Sequence, residues 1–248
     1  MWADNDDDKD KGKQSDSSCS KLPTYNQLKA ALDAAVGAEN SGLNLNMWGT
    51  IVDRDGVVCA VAFSGAERGS QWPGSRVISA QKANTANAFS LDGLALSTAN
   101  LYSATQPGGS LFGLQESNPV DVDVAYKGPS TNYGKANDPM VGSKIGGVNV
   151  FGGGLALYNS LRKVIGAVGV SGDTSCADHR IGWLVRDNLN LDNLAGVGGV
   201  ATLARPDNII FDVIPNAAGG TGVSAGGFGH AKCLATDNYN QNSLPAVQ

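Results

Sequence analysis

The longest apolar run in this chain of 248 residues is Val164-Ile165-Gly166-Ala167-Val168-Gly169-Val170, closed by Ser171-Gly172-Asp173-Thr174. It is far short of the ~20 residues that a membrane-spanning helix needs. Its β-branched content and the turn residues behind it predict a strand over 163–170, buried on both faces at the centre of a sheet. Such a strand requires cover on each side. Gly166, Gly169 and Gly172 punctuate the run, yet no Gly-Lys-Ser/Thr follows and no G-x-G-x-x-G opens the next helix, so this is not a phosphate loop. Close approach of neighbouring backbone, or of a planar ligand, is the expectation.

The flanking sequence supplies the cover. Thr24 is a good N-cap for a helix over 25–36, with Leu28, Ala31, Leu32 and Ala35 at helical spacing. Residues 45–52 and 57–63 read as two strands joined by Asp53-Arg54-Asp55-Gly56, whose Asp-Gly pair favours a hairpin. Residues 75–89 are Ala-rich without Gly or Pro and predict a second helix, and 97–103 a further helical turn before Gln106-Pro107-Gly108-Gly109. Short strands are expected at 148–151 and 155–158. A last core helix runs from about Cys176 to Leu191, capped by the Ser171–Thr174 turn.

Composition limits the remainder. The chain has 33 Gly and 9 Pro, about one residue in six against an average of ~12%, too many for a helical bundle. Hydrophobic residues at 42% and charged residues at 17% exclude disorder throughout. The net charge of −5 leaves no electrostatic footprint for nucleic acid. Residues 1–21 are charged and Ser-rich and read as a flexible acidic leader without a calcium-loop pattern. Residues 118–146 are polar and Pro-rich and read as an insertion, and 197–248 as a Gly-rich C-terminal extension with a β-like run at 207–214 and an arm pinned by Cys233.

Cys19, Cys59, Cys176 and Cys233 form an even, widely spread set with no C-x-x-C. Two disulfides, in any of three connectivities, suit that pattern better than a metal site, and they point to a secreted or periplasmic protein. With no apolar signal segment at the N-terminus, a signal peptide is expected to have been removed or never to have existed.

Few residues carry chemistry. Gly222-Val223-Ser224-Ala225-Gly226 matches G-x-S-x-G, but its Gly-rich flanks are no strand-to-helix elbow and only His230 follows it. His179, beside Asp178 in the first turn of the last helix, reads as a surface residue, with a ligand or acid/base role as the sharper alternative. His179 and His230 are the only histidines, so any imidazole-ligated metal or heme must use one of them, unless Met47, Met140, a Cys or a Tyr serves instead. Lys82 and Thr85 share a helix face that is solvated by default.

From Trp48 to about Leu191 the chain resembles the GlcG/HbpS family. The resemblance rests on Ile51-Val52-Asp53-Arg54-Asp55-Gly56, on Ala80-Gln81-Lys82-Ala83-Asn84-Thr85-Ala86, and on Gln106-Pro107-Gly108 with Leu111-Phe112-Gly113-Leu114. It continues in Phe151-Gly152-Gly153-Gly154-Leu155 and in Val164 to Gly172 followed by Asp178. It implies an α/β (α+β) profilin-like sandwich over 22–196, an antiparallel sheet of about five strands with helices on its faces, assembled into homo-oligomers. It further implies a secreted binding protein for heme or a similar planar tetrapyrrole rather than an enzyme, with Lys82, Thr85, Gly153, Asp178 and His179 at the ligand and His179 or His230 at the metal. The helix over 25–36 contains no His to serve as a family heme ligand. Two alternatives stand beside this: an enzyme or accessory protein for a small organic acid, with Lys82 or Arg76 as anion contact and Asp178 or His179 as acid/base, and a structural self-assembling protein.

Overall fold

The computed structural model describes residues 18–217, 222–234 and 243–248. Most of the expected leader, residues 1–17, and parts of the extension at 218–221 and 235–242 lie outside the described residues. The main elements are α1 (Tyr25–Ala38), β1 (Trp48–Asp53), β2 (Val58–Phe63) and α2 (Ser75–Phe89), then the short helices α3 (Tyr102–Thr105) and α4 (Val122–Ala125). β3 (Gly154–Tyr158), β4 (Val164–Ser171), α5 (Ser175–Asn188) and the paired β5 (Val213–Ile214) and β6 (Val223–Ser224) follow.

β1 to β4 form one antiparallel sheet in the order β2-β1-β4-β3. The hairpin between β1 and β2 turns where the Asp-Gly pair predicts. Asp53 Oδ1 accepts from the backbone N–H of Asp55 and Val57, and Gly56 takes a φ of 78°. β4 lies between β1 and β3 and is buried along nearly its whole length, as its unbroken apolar run requires.

One face of the sheet packs Ile51, Leu155, Leu157, Val168 and Val170 against Leu28 and Leu32 of α1 and Ile181 and Trp183 of α5. The other face packs Val52, Val61 and Ala167 against Val77, Ala80 and Ala83 of α2. Here the glycines decide the geometry. A Cβ at Gly169 would stand 2.0 Å from the Ser79 carbonyl oxygen, and one at its cross-strand partner Gly154 would stand 2.4 Å from that of Lys82. α2 therefore lies flush on the sheet, its own backbone filling the space that a larger residue would take.

Two expectations are corrected. The sheet has four strands rather than about five, because residues 148–151 form no ladder. Their backbone donors are taken by side chains instead: Asn149 N–H by Thr85 Oγ1 and Phe151 N–H by Asn149 Oδ1. The run at 207–214 pairs only at its last two residues, with β6, since Asp207 and Ile209 are drawn onto α5.

The segment at 118–146 is tied into the core. Ala125, Met140 and Ile145 join the α2 side, and the buried Arg76 guanidinium is clasped by Asp138 and covered by the Tyr133 ring, 3.6 Å from its centroid. Past residue 197 the extension is held by a second buried pair, Arg186 with Asp207 at 2.6 and 2.9 Å. Leu244 enters the core and the Pro245 carbonyl accepts from Trp183 Nε1. The cysteines pair as Cys19–Cys59 and Cys176–Cys233. The first staples the segment before α1 to β2, and the second staples α5 to the extension.

Candidate functional site

Where the N-terminal half of α2, the loop at 149–151 and the β4–α5 turn meet, they enclose a groove of about 320 Å³. Its apolar lining is Trp72, Ile78 and Phe151, and Lys82 and Asp178 form its floor. Trp72 is 50% exposed and Phe151 41% exposed, although both are held firmly by their backbones. The Trp72 carbonyl accepts from Trp48 Nε1 at 3.0 Å, and the Phe151 carbonyl accepts from Thr98 Oγ1, which in turn accepts from Gly154 N–H. Both rings therefore offer apolar surface at the mouth of the groove.

The floor is an ion pair. Lys82 Nζ donates to Asp178 Oδ2 at 2.6 Å and to the Val170 carbonyl at 3.2 Å, and both side chains are buried. Asp178 Oδ1 accepts from the backbone N–H of Gly172 and Asp173 at 3.0 and 2.9 Å. Asp178 sits in the first turn of α5, whose N-cap Thr174 accepts from Ala177 N–H, so the helix N-terminus also favours its carboxylate. Burial nevertheless pushes the Asp178 carboxyl up to about 6, with the Lys82 ammonium opposing the shift. Two of the three ammonium hydrogens are taken by Asp178 and the Val170 carbonyl.

Gly153 packs directly against that amine. Its φ of 122° and a Cβ position 2.4 Å from the Val170 carbonyl oxygen and 3.2 Å from Lys82 Nζ leave no room for a side chain. Thr85 acts one layer below: its hydroxyl donates to the Gln81 carbonyl and accepts from Asn149 N–H, which positions the loop carrying Asn149 and Phe151. The expectation of a solvated Lys82–Thr85 face is corrected, since β3, β4 and the loop at 149–151 cover that side of α2 and both residues are buried.

The histidines lie elsewhere. His179 is 0% exposed rather than a surface residue, because the extension folds over it. Its Nε2 accepts from Ile209 N–H at 3.1 Å, its Nδ1 has no partner, and burial pulls its imidazolium down to about 3. His230 is 3% exposed, donates Nδ1–H to the Ala231 carbonyl and rests on the Tyr102 ring, and burial pulls it down to about 4. Neither lines the groove. Arg76, an alternative anion contact, is spent on Asp138 and the Ala125 carbonyl. Met47 and Met140 are fully buried.

Of the expected ligand residues, then, Lys82, Gly153 and Asp178 meet at the groove floor, Thr85 supports its rim, and His179 faces the extension. The sequence reading missed Trp72 and Asn149. A Trp beside Pro73-Gly74 just before a helix was the available signal for the first. Asn149 carried none. Ser224 of the G-x-S-x-G match donates to Asp212 Oδ1 and accepts from Gly229 N–H, so its hydroxyl is bonded to a carboxylate and a backbone amide rather than to an imidazole.

A four-stranded antiparallel sheet covered by α1 and α5 on one face and α2 on the other, with a groove at the α5 N-terminus, defines an α/β sandwich of the GlcG/HbpS class. The family model described as haem degrading protein HbpS-like matches residues 24–183, and the chain belongs to that family. Among solved structures it is similar to Klebsiella pneumoniae protein ORFY, a DUF336 protein, at 26% identity over 66% of this chain and 86% of that one, with a TM-score of 0.45. It is similar to the chain of the PduOC:heme complex at 22% identity over 67% and 91%, with a TM-score of 0.46. It is also similar to a double mutant of Streptomyces reticuli HbpS at 14% over 76% and 98%, with a TM-score of 0.41. No curated protein matches the chain significantly.

Proposed function

We propose that this protein binds heme or a closely related tetrapyrrole in the groove, by its ring faces and its carboxylates rather than through a histidine on the iron. The observation that carries the reading is the pairing of exposed Trp72 and Phe151 with the Lys82 ammonium in one groove. A planar, apolar, dianionic molecule complements that lining: the aromatic side chains take ring surface, and Lys82 takes a carboxylate. Membership of the HbpS-like family supports the same ligand class.

Imidazole-ligated heme does not fit here. The groove lining contains no His, Met, Cys or Tyr, His179 Nε2 is engaged by Ile209, and His230 is enclosed beside the Cys176–Cys233 disulfide. The organic-acid reading loses His179 as acid/base for the same reason and keeps only Asp178, which is held in the ion pair with Lys82. Two disulfides support a working place outside the reducing cytosol, and among the described residues no helix is long and apolar enough to cross a membrane.

Titration of the full chain with hemin and, separately, with metal-free protoporphyrin tests this. Both bind with similar affinity, quench Trp fluorescence and lose about tenfold in affinity in Trp72→Ala and Phe151→Ala, on the order of 1–2 kcal/mol for each aromatic contact. Binding of hemin alone, or binding lost in His179→Gln or His230→Gln while Trp72→Ala binds normally, overturns the reading.

A further inference from the structure

Outside the groove, the Cys176–Cys233 disulfide and His230 form a second cluster. The two Sγ atoms and one ring nitrogen of His230 lie within 4.8 Å of one another. His230 Nδ1–H is given to the Ala231 carbonyl at 2.6 Å, so its Nε2 carries the lone pair, and this buried atom has no partner. A carbonyl on one ring nitrogen and a bare lone pair on the other is the arrangement that fixes a metal-ligating imidazole. The Tyr102 ring, 4.6 Å away between centroids, fixes the plane of the imidazole. A buried lone pair without a donor is costly, and the ring that carries this one lies beside two sulfurs.

We propose that reduction of the Cys176–Cys233 disulfide converts this cluster into a zinc site with Cys176 Sγ, Cys233 Sγ and His230 Nε2 as ligands. The reductant is a dithiol. It supplies two electrons and two protons, the Cys176–Cys233 S–S bond breaks to two thiols, and the dithiol leaves as its own cyclic disulfide. Zn²⁺ then displaces the two thiol protons to solvent and takes both thiolates and the neutral imidazole, with a water as fourth ligand.

The surroundings favour the change. Cys233 Sγ already accepts from Cys176 N–H at 3.1 Å and lies 3.3 Å from Ser175 Oγ, at the N-terminus of α5, where a thiolate is favoured. Cys233 is partly exposed and open to attack, whereas Cys176 is enclosed by Ala99 and Ile209. Tetrahedral zinc with bonds of about 2.0–2.3 Å sets its ligand atoms about 3.5–3.8 Å apart. The sulfurs therefore part and the His230 ring adjusts to meet them, within reach because Cys233 and His230 are three residues apart on a loop. The second disulfide has a carboxylate, Asp53, in place of the imidazole, and it provides the control.

The test uses the full chain, oxidised or reduced with dithiothreitol and then freed of reductant under argon, titrated with Co²⁺ and Zn²⁺. The oxidised chain binds neither. The reduced chain, and a reduced Cys19→Ser/Cys59→Ser variant, bind one Co²⁺ with a near-ultraviolet thiolate charge-transfer band and the strong visible bands of a tetrahedral ion, and Zn²⁺ bleaches both. His230→Gln weakens binding at least about tenfold, and Cys176→Ser/Cys233→Ser removes the bands from the reduced chain. Should the Cys19→Ser/Cys59→Ser variant fail to fold, the comparison of reduced wild type with Cys176→Ser/Cys233→Ser carries the test. Bands that survive in Cys176→Ser/Cys233→Ser, bands unchanged in His230→Gln, or no bands in the reduced wild type overturn the assignment.

Discussion

Lys82 Nζ and Asp178 Oδ2, 96 residues apart in sequence, meet at 2.6 Å beneath the groove with both side chains withdrawn from water. Removing one charge strands the other. Asp178→Ala is expected to lower the unfolding free energy by roughly 3–5 kcal/mol, and Lys82→Met/Asp178→Leu to recover more than half of that. Urea denaturation of the single and double variants measures the coupling. Independent, additive losses would show that the pair does not hold the floor.

The flush seat of α2 on the sheet makes a sharper claim about glycine. Gly169→Ala places a methyl 2.0 Å from the Ser79 carbonyl oxygen and 2.5 Å from Ala83 N. It is expected to cost about 2–3 kcal/mol or more, since backbone on both sides must move. Gly37→Ala, near the end of α1 with nothing within 4 Å of the new methyl, is expected to gain about 0.5–1 kcal/mol. Melting temperatures that move the same way for both would contradict this packing.

Acid sensitivity follows from His179. Burial favours its neutral form, with Asp207 pulling toward the charged form and Arg186 and His230 away from it. Its folded value of about 3 lies below the 6.5 of an unfolded chain, so its contribution is whole above about pH 6.5 and is lost as the pH falls toward 3. The slope is about 1.4 kcal/mol per pH unit for this one proton. Asp178 works in the opposite sense between about 6 and 4, its folded value being the raised one. A His179→Gln variant should show a shallower fall in stability between pH 6.5 and 4 than the wild type, measured by urea midpoints. An unchanged slope would mean that His179 is not buried neutral.

The two staples differ in what they hold. Cys176 and Cys233 are separated by 57 residues and Cys19 and Cys59 by 40, so chain entropy alone gives each roughly 4 kcal/mol. Cys176→Ser/Cys233→Ser is expected to lose about 2–4 kcal/mol and to expose the extension to protease while the sheet stays intact. Limited proteolysis followed by mass measurement identifies the cleaved segment. Cleavage first within α1 or β2 would refute this division.

Much of this was legible in the chain. The central strand, its capping turn, the Asp-Gly hairpin and three long helices follow from local preferences and from spacing along one element. The family motifs marked Lys82, Gly153 and Asp178, which do converge. What was misread shares one cause. The helical position of His179 gives a first-turn surface residue, and only the extension passing over it buries it. Residues 148–151 look like a strand, but Thr85 and Asn149 take the donors that a neighbouring strand would have paired.

The sequence by itself determined the three long helices, the β1–β2 hairpin and the central strand, because propensity, capping and alternation act between neighbours. Only the tertiary structure decided which cysteines pair, which histidines lose their water, and that Trp72 and Phe151 stand open over a buried ion pair. Those outcomes depend on contacts between residues tens to more than a hundred positions apart. The apolar run at Val164–Val170 shows both sides: its composition required cover on two faces, and the backbone of α2, pressed against Gly169, is what supplied one of them.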